Sequence, residues 1–78
     1  MNWNKIKLKD IENAFYKIFN PELLYGEHAN IYDEALKNAN HFGTTWKKEM
    51  QKIDDCVYLD FITSYLEEEG VSPDDFEK

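Results

Sequence analysis

From Leu8 to Leu66 the large apolar residues of this chain recur at steps of three and four. That spacing places them on one face of a helix. Strict alternation, the mark of a half-buried strand, is confined to Lys5–Lys9, where a single strand would have no partner. The pattern predicts an all-α protein, with Lys5–Lys9 as an extended lead-in. In the first helix, residues 8–19, Leu8, Ile11, Ala14, Phe15, Ile18 and Phe19 share an arc. Asp10 stands at its N-cap or in its first turn. The helix stops where Asn20 precedes Pro21, because proline disfavours the α conformation in the residue before it.

"NPELLYG" reads as a short helical turn over 21–25, capped by Asn20 and stopped by Gly26. Leu23 and Leu24 are expected to pin it to the core. The second helix covers 28–42, with Asn30 as its cap and Ile31, Ala35, Leu36, Ala39 and Phe42 as its buried stripe. Gly43 ends it, and Thr44 or Thr45 caps the next.

Segment 45–69 carries its apolar residues on two lines of a helical wheel. Trp46, Met50, Ile53 and Val57 form one; Tyr58, Leu59, Phe61, Ile62, Tyr65 and Leu66 form the other. The lines differ by more than about 100° at the angular step of a helix. Either the helix breaks at Asp54–Asp55, where an aspartate can cap a new helix, or it continues and packs different neighbours on different sides. No glycine or proline enforces a break, so we expect one helix, long or kinked near 54–55. Gly70 and Val71 predict a left-handed glycine cap with Val71 against Leu66. "SPDDF" predicts a capped turn over 73–77, docked by Phe76. The expected architecture is thus a small bundle of three main helices, 8–19, 28–42 and 45–69, with short turns at 21–25 and 73–77, forming a single helical domain over 1–78.

A chain of 78 residues buries only about 60% of its unfolded surface, so its core is marginal. One cysteine, Cys56, excludes an internal disulfide and fits a reducing compartment. Aromatic residues at 15% supply large rings to fill a small core. No apolar run approaches the roughly 20 residues of a membrane helix, and the first residues do not read as a secretory signal. We expect a soluble, cytoplasmic protein that engages no membrane.

Catalytic chemistry has little to stand on. His28 lies on the arc of Ile31 and Ala35 and reads as a partly buried structural residue; His41, near a helix end, reads as exposed. Cys56 sits among Asp54, Asp55 and Asp60, which disfavour its thiolate. Two histidines and one cysteine give no metal-ligand spacing, and the acidic residues do not match a calcium loop. No cofactor motif is present. The expectation is no enzyme, no cofactor and no metal.

Charge is unevenly spread. Residues 1–53 carry eight lysines and seven carboxylates; residues 54–78 carry one lysine and nine carboxylates, within a net charge of −7. There is no arginine. Such a surface repels nucleic acid and attracts a basic partner. A plainer account is that the charge only keeps the chain soluble. Against it, the acids lack i+4 lysines, and Glu67, Glu68 and Glu69 occupy a helix C-terminus, the unfavourable end of the dipole. Asp54, Asp55, Asp60, Glu67, Glu68, Glu69, Asp74 and Asp75 are therefore the candidate partner-binding residues. They would occupy a basic, nucleic-acid-binding surface of another protein and inhibit it, as phage anti-CRISPR and anti-restriction proteins do as a class. That analogy rests on size and charge, not on a motif.

Two alternatives differ in kind. One is a dimerising module, immunity protein or antitoxin that binds through Trp3, Tyr16, Tyr25 and Tyr58, which would make the chain a homodimer rather than a monomer. The other is a helix-turn-helix DNA reader, with Lys47, Lys48 and Lys52 on the helix after Gly43. Glu49 occupies a position where that motif takes an apolar residue, and no arginine is present for base readout.

Overall fold

The computed structural model describes residues 3–76. It is all-α: four α-helices, α1 (Leu8–Ile18), α2 (Gly26–Phe42), α3 (Trp46–Ile53) and α4 (Asp55–Glu68), with 3-10 turns at Trp3–Lys5, Pro21–Leu23 and Pro73–Phe76, and no strand among the described residues. The expected three main helices are corrected to four. Asp54 is extended (φ −172°, ψ 139°), and its carboxylate accepts from the Cys56 amide at 2.9 Å. An aspartate that caps the following helix is enough to end the preceding one without glycine or proline. The break divides segment 45–69 between two helices: Trp46, Met50 and Ile53 lie on α3, while Val57 joins the line from Tyr58 to Leu66 on α4. Asp54→Ala should cost about 1 kcal/mol, the usual worth of an N-cap. Thermal melts would register this as a midpoint about 4–8 °C lower. An unchanged midpoint would mean that the cap does not hold the break.

Other boundaries shift as well. The second helix starts at Gly26 rather than 28, so Asn30 lies inside it and caps nothing. Gly26 both stops the preceding turn and opens the helix. The lead-in is a 3-10 turn over Trp3–Lys5. Of the turn expected over 73–77, Pro73–Phe76 is present and residue 77 lies outside the described residues.

Contacts divide the chain into two units: residues up to Phe19 with those from Asp60 on, and Asn20–Leu59. The first unit is centred on Phe15, which is fully buried. Its ring stacks on Phe19 (4.5 Å between centroids) and meets Tyr65 and Phe61 edge-on at 5.3 and 6.1 Å. Ile11, Ile62 and Leu66 are also buried. The Tyr65 hydroxyl donates to the Ile18 carbonyl at 3.3 Å, giving a buried ring a partner for its polar tip. α4 ends as its sequence predicts. Gly70 is left-handed (φ 87°), the Val71 amide donates to Leu66 at 2.8 Å and the Gly70 amide to Glu67 at 3.1 Å. Then Pro73 is buried and the Ser72 amide donates to the Asp75 carboxylate at 2.9 Å, half of a capping box. Phe76 meets Trp3 edge-on at 5.6 Å, so the expected docking of Phe76 is present.

The second unit packs α2 against α3 across a turn at Gly43 (φ 69°), followed by the first residues of α4 up to Leu59. Ala35, Ala39, Met50 and Tyr58 are buried. Trp46 bridges Tyr32 and Tyr58, at 5.4 and 5.9 Å between centroids. Thr45 caps α3 by accepting from the Lys48 amide at 3.2 Å. Glu49 is 6% exposed. Its Oε2 accepts from the Thr44 hydroxyl at 2.5 Å and pairs with the Lys52 ammonium at 2.8 Å.

The hydrogen bond from Lys52 first, and that from Thr44 second, hold the Glu49 carboxyl below its ordinary value of 4.5, against the opposing effect of burial. A lowered folded pKa stabilises above the unfolded value, and that contribution disappears as pH falls through the folded value. The stability gap between the native chain and Glu49→Gln should therefore be widest at neutral pH and close below about pH 4. A gap that widens on acidification would reverse the assignment.

Candidate functional site

All eight candidate carboxylates are exposed, but they are not one set. Asp54 and Asp55 belong to the second unit; Asp60, Glu67, Glu68, Glu69, Asp74 and Asp75 belong to the first. Three accept hydrogen bonds that fix local structure. Asp54 caps α4. Glu67 accepts from the Trp3 indole at 2.7 Å. Asp75 accepts from the Ser72 amide. Asp55 lies in the first turn of α4, where the helix dipole favours it. The indole bond explains Glu67 at an unfavourable helix end: a charge-assisted hydrogen bond exceeds the few tenths of a kcal/mol, roughly, that the dipole costs.

Asp60, Glu69 and Asp74, all in the first unit, are exposed without such a role. α4 buries Phe61, Ile62, Thr63, Tyr65 and Leu66 and leaves a narrow strip for Asp60 and Glu67, seven residues and about 20° apart on the wheel. Glu68 and Glu69 follow at its end, and Asp74 opens the 3-10 turn beyond Gly70. Each of these positions is set by a defined element: a helix strip, a glycine-capped end and a proline-led turn. No ion pair engages Asp60, Glu69 or Asp74 among the described residues.

The lopsided charge of the linear chain does not separate the units. Among described residues the first unit holds four lysines (Lys5, Lys7, Lys9, Lys17) against eight carboxylates, and the second holds four lysines against seven. The lysine-rich opening segment joins the acidic closing segment in one unit, so both units are net negative.

For the helix-turn-helix alternative, Lys52 is paired with Glu49 and lies 5.5 Å from the Phe42 ring centre, while Lys47 lies 5.3 Å from that of Tyr58. Lys48 is exposed, and its ammonium engages no ion pair or ring among the described residues. Of the aromatic anchors, Tyr58 is 1% exposed and Trp3 is held by Glu67 and Phe76, whereas Tyr16 and Tyr25 are exposed. Sequence periodicity missed a different apolar surface. Phe42 and Ile53, both expected to face the interior, are 63% and 72% exposed.

His28 is half-buried and His41 exposed beside Phe42. Cys56 is exposed at the start of α4. Among the described residues, no three His, Cys, Asp or Glu side chains are grouped so as to hold a metal ion, and no helix is long and apolar enough to cross a membrane. No protein-family model, curated protein or solved structure matches this chain.

Proposed function

We propose that the chain is a small acidic binding protein, not an enzyme, whose carboxylates occupy a Lys/Arg-rich surface of another protein. The observation that carries the proposal is the state of Asp60, Glu69 and Asp74: exposed, and held on ordered elements that other carboxylates help to fix. Glu67 and Asp75 tie the scaffold down, and Asp60, Glu69 and Asp74 face solvent. Fixed charges lose little freedom on binding, which favours association with a complementary surface. Where that surface normally holds nucleic acid, the carboxylates take the place of phosphates and the protein acts as a competitive inhibitor in the cytoplasm, in the manner of phage anti-CRISPR proteins. Direct nucleic-acid binding has no place in this proposal, because both units are net negative.

The test is capture of host proteins on the immobilised chain, followed by elution in a salt gradient. Retained proteins should be nucleic-acid binders, should leave the column between about 0.1 and 0.5 M salt as the charges are screened, and should be displaced by duplex DNA. Retention that neither salt nor DNA disturbs would sink the proposal.

A further inference from the structure

We infer that, within the acidic surface proposed above and resting on that reading of it, Trp3 and Glu67 form the anchoring site for an arginine side chain of the basic partner. The Trp3 indole donates to Oε1 of Glu67 at 2.7 Å. An indole N–H lies in the plane of its ring, so the carboxylate stands at the ring's edge and takes up neither face. Phe76 meets the same ring at 5.6 Å and 64°, which fixes its tilt. Trp3 is half-buried, so part of its ring is open to solvent, and Glu67 is exposed. One carboxylate oxygen is held by the indole. The other, Oε2, engages no hydrogen bond or ion pair among the described residues.

The contact adds little to the core, because the turn Trp3–Lys5 buries no residue. Its effect is local. A neutral donor fixes the position of a carboxylate without cancelling its charge. An aromatic ring beside a fixed carboxylate suits a guanidinium, which stacks on the one and donates to the other from a single planar group. A lysine ammonium can reach Oε2, but it is a compact and strongly hydrated point charge that gains less from the ring. The chain has no arginine, so neither the chain itself nor a second copy supplies the guanidinium; a different protein does. Asp60 lies about 10 Å back along the same strip of α4 and offers a carboxylate to the next cation of a basic segment. Tryptophan at such a point is a common hot spot of protein interfaces.

Tetra-arginine and tetra-lysine peptides, capped at both ends, compare the two cations at equal charge. At about 10 mM salt, where screening is weak, the arginine peptide should bind about two to five times more tightly, the size of an exposed cation–π contact. In proton–nitrogen spectra it should move the indole signal of Trp3, identified by its loss in Trp3→Phe, and leave that of Trp46 in place. Trp3→Ala should abolish the preference for arginine while both peptides still bind. That variant should fold, because the turn it alters buries no residue. Glu67→Gln keeps an oxygen for the indole and loses the charge, and it should weaken the arginine peptide at least as much as Trp3→Ala does. Equal affinity for the two peptides overturns the inference. So does a preference that survives Trp3→Ala, an unmoved Trp3 signal, or an affinity that Glu67→Gln leaves unchanged. In each of those cases both peptides still bind, and the acidic surface stands without this anchor. Binding of neither peptide at low salt overturns the surface and the anchor together.

Discussion

Phe15→Ala should remove about 3–5 kcal/mol of stability, the cost of truncating a fully buried ring. At about 0.05–0.15 kcal/mol per residue, a domain of this size has roughly 4–12 kcal/mol in total, so the variant should lose at least about a quarter of its stability and melt about 12 °C or more lower. The argument is geometric. Phe15 stacks on Phe19 and meets Tyr16, Phe61 and Tyr65 edge-on. Removing it strips several partners at once, each pairing worth about 0.5–1.5 kcal/mol beyond its buried area. The informative control is Phe42→Ala in dilute solution. Periodicity places both rings in buried stripes, yet Phe42 is mostly exposed. Its truncation should cost no more than about 0.5 kcal/mol. Urea midpoints for the two variants should differ widely; equal losses would overturn the assignment of the core.

The second large effect is on association. Reversing Asp60, Glu69 and Asp74 to lysine should abolish salt-sensitive retention of basic proteins. Apparent affinity should fall by about 100-fold or more, since complementary charge changes both encounter rate and dissociation. Glu67 and Asp75 are left in place because their hydrogen bonds to Trp3 and Ser72 hold the scaffold. The fold should survive, as shown by an unchanged far-ultraviolet spectrum, because all three positions are exposed. Folded protein that still retains the same partners would show that the carboxylates serve solubility alone.

Local rules made much of this architecture legible. The ends at Gly43 and Gly70, the Thr45 cap and the Asn20 cap follow from residue type and spacing within a turn or two, and all are present. The helix break was half legible. The rotation between the Trp46 and Tyr58 lines pointed to it, but the absence of glycine and proline argued the other way, and Asp54 was sufficient by itself. What periodicity does not supply is the neighbour. Leu8, Ile18, Leu23, Leu36, Phe42 and Ile53 all lie on apolar arcs, and all are exposed. A wheel tells which way a side chain faces, not whether another helix reaches that far. The candidate site was legible as a composition and not as an arrangement. Nothing local revealed that Trp3 holds Glu67, 64 residues away, or that the lysines of the opening segment share a unit with the acids of the closing one.

That pairing of distant segments sets an order of events during synthesis. The unit around Phe15 draws on residues up to Phe19 and from Asp60 on, while the other is the continuous stretch between them. At about 5–20 residues per second, a ribosome needs about 2–8 s to make the intervening segment of about 40 residues. Throughout that time Phe15 and Phe19 have neither Phe61 nor Tyr65 to meet. The hairpin of α2 and α3 is complete first, and the aromatic face of α1 waits, open to any chaperone that binds exposed rings, until the second half of α4 emerges.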